Sequence, residues 1–491
     1  MTNWMYYLIL LLLTAKSGDS SAFTLDQILE KARKSSPRIE QANYQLKSKL
    51  AEANQVNAAF DSTVFAKYEK ADDKTMQNST FAGDRRTQRG YQVGIRRFFG
   101  TGTKLELSWE QSRAENLYNS TEVSSATVTP TSNNFDPANS TAYEINLSQE
   151  LWRNFWAREV RLQEQMMLTA AESQRYQNKL LKQQIQVETE SLYWNLILIK
   201  EQMAIAQKLV NRAKKFSKQM SRRVEVGRAD RVDEAAAASQ VIAQEDSLIE
   251  LDIMKDNLLK RLEMNIDPTG GTKLTLDQLD TPLSKSFHTL PATDTTAGFE
   301  LGKKQRLDLA IVTGQQKTTE LKRDFAKEQG RPSISLFGRY KQNGMDVSSS
   351  DAYKEAVKSR HPLVAFGIEL EMSIGNTKSA SGVIAATEEM AGLSSQRQLI
   401  LSNFRRDLAI AFTELNGANR RFRQAEKKIK TFQQKQRREQ AKLKQARSDQ
   451  VSVIRYEMEV LVAKNEKYLA QKRMRDSESQ IKYLLHAYPM E

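Results

Sequence analysis

Two long runs of apolar residues at coiled-coil spacing, each broken once by a short polar tetrapeptide, leave this chain few folds to choose from. In the first run Leu192, Leu196, Ile199, Met203, Ala206, Val210 and Ala213 step by fours and threes, and in the second Phe412, Leu415, Ala418, Phe422, Ala425, Ile429 and Phe432 do nearly the same. The period resumes at Leu248, Leu251, Leu258 and Leu262 after Gly227-Arg228-Ala229-Asp230. It resumes at Ile454, Met458, Leu461 and Tyr468 after Ala446-Arg447-Ser448-Asp449. A short break between two such runs predicts an antiparallel helical hairpin with the tetrapeptide at its tip. The rising arm of the first hairpin, from about Glu159 to Val226, would extend on the order of 100 Å. An arm of that length with a narrow apolar stripe cannot bury itself in one chain, so oligomeric packing or a projecting rod follows.

The two tetrapeptides lie 219 residues apart, and the same offset places Tyr193 on Phe412, Leu196 on Leu415 and Val232 on Val451. Upstream the offset changes, since Tyr68 matches Tyr340, and the first half carries about 50 extra residues between those points. The chain therefore divides into a first repeat over 23–265, a linker over 266–300 and a second repeat over 301–491. Only 9 Pro and 20 Gly interrupt its 491 residues, which agrees with long elements.

Residues 1–22 have the pattern of a secretory signal peptide. An apolar run from Trp4 to Leu13 is followed by small residues at Ser20-Ser21-Ala22, although the start lacks Lys or Arg. An uncleaved anchor is the competing reading. No later segment approaches the ~20 apolar residues of a membrane-spanning helix, so any insertion must use strands.

Period-two segments supply such strands. Val364, Phe366, Ile368, Leu370, Met372 and Ile374 alternate with Ala365, Gly367, Glu369, Glu371 and Ser373. The alternation recurs through Tyr143, Ile145, Leu147 and Leu151, through Ile334, Leu336 and Tyr340, and more weakly through Val64, Ala66 and Tyr68. The pattern fits a transmembrane barrel strand, and equally a half-buried soluble sheet. The extra residues add Tyr91-Val93-Ile95 and Leu105-Leu107-Trp109, joined by a turn at Phe99-Gly100-Thr101-Gly102. Whether this 88–113 hairpin joins the barrel or projects outside it stays open. Lys70 to Arg89 and Ala114 to Thr141 are expected to be Ser/Thr/Asn-rich loops, and Asn78, Asn119 and Asn139 in them are composition and not glycosylation sites. Four to six strands cannot close a barrel of at least ~8, so the strand count requires oligomerisation.

Chemistry is sparse. With no Cys there is no disulfide, thiolate nucleophile or thiolate metal site, and His288, His361 and His486 lie far apart with no metal-binding spacing. No catalytic constellation and no cofactor motif is present, so an enzyme is not expected. Glu369 and Glu371 share one strand face without a pocket and are better placed as lumen lining. The formal charge of +14 concentrates between Arg420 and Arg447, where twelve Lys or Arg face two Glu. A solvated helix face and a docking surface for an acidic partner both fit. Nucleic-acid binding is not expected behind a secretory signal.

These residues resemble the TolC-like outer membrane efflux protein family. The resemblance rests on FTLDQILEKARKSSPRIEQA after the signal, LSQELWRNF ending a strand, RLDLAI opening the second half, and the tip segments VGRADRVDEAAAAS and ARSDQVSVIRYEMEVLVAKNEKYL. It covers nearly all of the chain beyond the signal. It implies an α+β homotrimer: a transmembrane β-barrel of 12 strands, about four per protomer and six if the extra hairpin is counted, continued by a coiled-coil tunnel across the periplasm. It further implies passive export through the outer membrane, with the tips docking on a periplasmic adaptor that links to an inner-membrane pump. Gly227, Arg228, Asp230, Ala446, Arg447 and Asp449 become the docking tips.

Gate links between neighbouring subunits would use Asp233, whose basic partner falls on Ser448 with Arg447 beside it. The acidic constriction of some members falls on Ser452 and Arg455, so a ring of Arg455 would favour anions. Ala446 in place of Gly makes a left-handed tip less comfortable than at Gly227. The alternative function is a periplasmic coiled-coil tether anchored in the outer membrane. The cargo and the pump are not legible.

Overall fold

The computed structural model describes residues 23–75, 85–117, 137–279, 281–284, 292 and 294–488. The expected signal over 1–22, together with Asn78, Asn119 and His288, lies outside the described residues. In chain order the elements are α1 (Leu25–Ser35), α2 (Pro37–Val56), β1 (Thr63–Asp73), β2 (Arg85–Phe98), β3 (Thr103–Leu117), β4 (Ala138–Glu150), α3 (Arg158–Glu225) and α4 (Arg231–Ile266). After a linker follow α5 (Thr295–Gln305), α6 (Leu307–Gln329), β5 (Ser333–Asp346), α7 (Ser349–Val357), β6 (Pro362–Glu371), α8 (Thr377–Lys444) and α9 (Gln450–Leu484). Among the described residues no helix is long and apolar enough to cross a membrane.

Helices α3 and α8 are both 68 residues long and both start and end 219 positions apart. Their seams are where the heptad pattern placed them: Leu196, Ile199, Ala206, Val210 and Ala213 are buried on α3, and Phe412, Leu415, Ala418 and Ala425 on α8. Two compact units result. Of the described residues, one comprises those in 23–45, 174–311 and 396–488 and the other those in 46–173 and 312–395, so each sequence repeat contributes to both units.

The helical unit has two apolar cores. In one, the amphipathic α1 lays Leu25, Ile28, Leu29 and Ala32 against Tyr193, Trp194, Leu196 and Ile197 of α3, Leu262 and Ile266 of α4, and Leu279 of the linker. Thr24 starts α1 with a capping box, its hydroxyl accepting from the Gln27 N–H while the Gln27 side chain accepts from the Thr24 N–H. In the other, Phe404, Leu408, Ala411, Phe412 and Leu415 of α8 meet Ile481, Leu484 and Leu485 at the end of α9. Each fully buried Leu, Ile or Phe here is worth about 2 kcal/mol of transfer free energy.

The second unit holds one antiparallel sheet with strand order β1-β2-β3-β4-β5-β6. The extra hairpin is therefore inside the sheet: β2 pairs with β1 and β3 pairs with β4. The expected loops are shorter than their composition suggested. Strand β1 continues to Asp73, β2 begins at Arg85, β3 runs to Leu117 and β4 begins at Ala138, with Asn139 inside the ladder. Backbone pairing persists there although side-chain alternation has faded. The last strand is shorter than its alternation, for Gly375 and Asn376 take positive φ and turn the chain into α8 before Ile374 can pair.

Candidate functional site

Residues directly opposite in an antiparallel ladder share one face. Following the register, Val64 pairs with Ile95, Ile95 with Leu107, Leu107 with Ile145, Ile145 with Tyr340, and Tyr340 with Val364. One row below, Ala66, Val93, Trp109 and Tyr143 continue the same face, and Leu336 faces Ile368 on it. This apolar face crosses all six strands, and much of it is bare: Val64, Phe366, Ile368 and Leu370 are 66–85% exposed.

The opposite face is ionic. Lys67 pairs with Gln92, Gln92 with Glu110, Glu106 with Asn146, Asn146 with Arg339, and Ser335 with Glu369. Lys341 lies 3.7 Å from Glu110 and 3.8 Å from Glu144, and Arg339 lies 3.4 Å from Glu144, tying three strands together. A cleft of about 630 Å³ on this face is lined by Arg96, Lys104, Glu106, Asn146, Arg339 and Glu369. A sheet sided in this way suits a boundary between apolar and aqueous surroundings.

Just past β4 stand Trp152, Phe155 and Trp156, all about half exposed, with the Phe155 and Trp156 rings in contact. Behind them the backbone turns sharply, with Asn154, Trp156 and Ala157 at positive φ. The carboxylate of Glu328, only 2% exposed, holds this turn: it accepts from the Asn154 N–H at 3.1 Å and pairs with Arg158 at 3.3 Å and Arg331 at 3.0 Å. The sequence offered no signal for this junction, because its members are contributed by both halves of the chain.

Both helical tips close by the same motif. At the first, the Arg228 N–H donates to the Arg223 carbonyl and the Gly227 N–H to the Val224 carbonyl; at the second, Arg447 donates to Lys442 and Ala446 to Leu443. Each requires a left-handed residue, Gly227 at φ 71° and Ala446 at φ 59°. Asp230 precedes α4 and its N–H donates to the Asp233 carboxylate at 3.3 Å. Asp449 caps α9 by accepting from the Ser452 N–H at 2.7 Å. Ser448 donates to Glu439 at 2.5 Å, and that hydrogen bond, with Lys442 adding to it, holds the Glu439 carboxyl below its ordinary value. Arg228, Arg447 and Arg455 are exposed. Within one chain, then, Asp233 and Ser448 serve their own tips.

A link that the sequence did not suggest joins the two hairpins. The guanidinium of Arg223 on α3 lies 2.8 Å from the Asp449 carboxylate. Burial pushes the Asp449 carboxyl up, but the hydrogen bonds from Ser452 and Arg223 outweigh it, and the group titrates below its ordinary value. The contact heads a polar ladder between α3 and α9, in which Arg212 meets Glu457 at 2.9 Å and Gln202 meets Asn465 at 3.1 Å, and just past the end of α9 His486 meets Gln183 at 2.5 Å. Flanking pairs fix the order of the four arms. Lys214 bridges to Glu245 on α4, and Lys428 and Glu426 of α8 bridge to Glu466 and Lys467 of α9. Arms α3 and α9 are therefore central, and α4 and α8 are the flanks.

Comparison with known proteins places this fold. The chain is similar to the outer-membrane channel OprN, with a TM-score of 0.69 and 14% identity over 94% of this chain and 89% of that one. It is similar also to the MtrE outer membrane channel of Neisseria gonorrhoeae in its open state, at 0.65 and 14% over 94% and 88%. The outer membrane protein VceC of Vibrio cholerae matches at 0.65 and 12% over 94% and 95%. No protein-family model and no curated protein matches the sequence. At these identities the likeness is one of fold: long helices with an antiparallel sheet, shared along almost the whole of each chain.

Proposed function

We propose that this chain is one protomer of a homotrimeric outer-membrane channel-tunnel, giving passive exit from the periplasm to the exterior. The observation that carries the reading is the two-sided sheet, apolar across one face and ionic across the other, whose edge strands β1 and β6 have no further partner among the described residues. Open edges do not survive in lipid, because every backbone N–H and C=O there needs a partner. An even number of strands per copy lets β6 of one copy meet β1 of the next in antiparallel sense, and closure removes the edges. With three copies of six strands the wall has 18 strands, wider than the 12 implied by the family resemblance, since barrel diameter grows roughly linearly with strand number. Lys67, Glu110, Glu144, Arg339 and Glu369 then line water, and Trp152, Phe155 and Trp156 sit at one interface.

The tips are the proposed contacts with a periplasmic adaptor, through Gly227, Arg228 and Asp230 on one hairpin and Ala446, Arg447 and Asp449 on the other. The adaptor would couple the channel to an inner-membrane pump in an efflux or type I secretion assembly. Asp233, Arg447, Ser448, Ser452 and Arg455 are the proposed gate. The OprN, MtrE and VceC structures, all of outer-membrane proteins, support the location. In planar bilayers the purified protein is expected to conduct ions and to run as a heat-sensitive trimer on gels. A tether of the same architecture would form no pore, and a trimer without conductance would overturn the channel.

A further inference from the structure

The apolar face of the sheet ends in a row of like charges. Past Ala66, Val93, Trp109 and Tyr143, that face carries Tyr68 opposite Tyr91 and, one row beyond, Lys70 opposite Arg89 and Arg89 opposite Arg113. Like charges directly opposite each other in a ladder destabilise it. Three cations nevertheless stand side by side on three neighbouring strands, with Lys70 and Arg89 exposed.

The carboxylates around the row are engaged elsewhere or too far along it. Asp72 is held by Arg85 at 2.6 Å, and Glu115 meets only Arg113, at 2.5 Å. Asp346 ends the row two strands beyond Arg113, and its carboxylate accepts from the Ser348 N–H. Among the described residues neither Lys70 nor Arg89 forms an ion pair. Helix α7, which packs over Gly344 on the same face, is different: Lys354 pairs with Asp351 at 2.9 Å and Lys358 with Glu355 at 3.3 Å. The uncompensated charge therefore belongs to the row and not to this end of the sheet in general.

We propose that Lys70, Arg89 and Arg113 bind the phosphates of a lipid headgroup. The proposal rests on the lipid-facing reading of the apolar face given above and names what that face recognises at its loop end. Tyr68 and Tyr91, 58% and 54% exposed with ring centroids 5.0 Å apart, mark the level where hydrocarbon gives way to headgroups. A lipid whose chains lie on Val93, Ile95 and Leu107 brings its phosphates to the cations one row past those rings, which a free anion has no apolar contact to do. The row spans two interstrand spacings, about 10 Å, and so fits a headgroup with two phosphates better than one with a single phosphate. Bound phosphate turns three mutually repelling cations into partners of one anion, through charge-assisted hydrogen bonds.

The test uses the full-length protein in neutral detergent, with diphosphoryl lipid A as the probe and retention read by native mass spectrometry. Lys70→Gln and Arg89→Gln are each expected to weaken retention about fivefold, and monophosphoryl lipid A to bind about fivefold less tightly than the diphosphoryl form. Lys354→Gln on α7, whose charge is already paired, should leave retention unchanged. Without lipid, Arg89→Gln should melt no lower than the wild type, because it relieves repulsion, and added diphosphoryl lipid A should raise the melting point of the wild type more than that of the variant. Inorganic phosphate in large excess should not displace the lipid; displacement would overturn the lipid as ligand. Equal retention by the wild type and the Lys70→Gln, Arg89→Gln double variant, in a protein that still conducts ions, overturns this site and leaves the channel standing. A protein that does not enter liposomes overturns both.

Discussion

Arg223 and Asp449, 226 positions apart, meet at 2.8 Å and tie the first hairpin to the second at the level of the tips. Asp449 has two duties there, since its carboxylate also caps α9 through the Ser452 N–H. Asp449→Ala should lose both cap and link and cost about 1–2 kcal/mol, whereas Asp449→Asn retains a capping oxygen and should cost less. The coupling between Arg223→Ala and Asp449→Asn in a double-mutant cycle should stay under about 1 kcal/mol, because both groups are partly exposed. The depressed Asp449 carboxyl sets the pH sense: the link is present above the ordinary aspartate value and is lost as pH falls through the lower folded value. In the proposed channel, conductance should change along the same acid limb.

His486 makes a second, separate pH prediction. It is buried against Gln183, and burial first, then the nearby Arg306 charge, lowers it to about 4, with Asp308 opposing. The unfolded chain takes up a proton near pH 6.5 while the folded chain does so only near 4, so stability is full above 6.5 and declines between those values. The loss should approach about 3 kcal/mol at the lower end, and His486→Gln should flatten that limb in urea titrations.

Glu328 is the most exposed to mutational damage, as a buried carboxylate with two guanidinium partners and one backbone donor. Glu328→Ala should destabilise by about 1–3 kcal/mol, since it leaves the Asn154 N–H without its acceptor, while Arg158 and Arg331, about half exposed, can turn to water. Thermal melting checks this, and a change under about 1 kcal/mol would show that the junction is held by other contacts.

The two tips should respond oppositely to glycine. Ala446 occupies a left-handed conformation that costs an L-residue about 1 kcal/mol, so Ala446→Gly should stabilise slightly and Gly227→Ala should destabilise by a similar amount. Equal effects of one sign in melting experiments would contradict the backbone argument.

How far the fold could be read in advance depends on the range of the interaction. The seams through Leu196 and Val210 and through Leu415 and Ala425 were legible because a helix repeats its own pattern locally, and the sheet through Ile145 and Phe366 for the same reason. Strand ends at Thr87 and Asn116 were not, because pairing there is carried by the backbone and the side chains no longer alternate. Arg223–Asp449 and the Glu328 junction were invisible, for nothing local distinguishes those charges from any solvated neighbour. The hairpin from Arg85 to Leu117 could be recognised as strands, but its place between β1 and β4 needed the register.

The most direct test of the shared wall is to put single cysteines on the two faces and reconstitute each variant in liposomes. Ile95→Cys, Ile145→Cys and Phe366→Cys lie on the apolar face; Gln92→Cys, Asn146→Cys and Glu369→Cys lie on the ionic one. Labels at the first three should be quenched by a lipid-phase quencher, and the second three should react with a water-soluble thiol reagent. Equal reaction of both sets with the water-soluble reagent, and no lipid quenching at any position, would contradict the account.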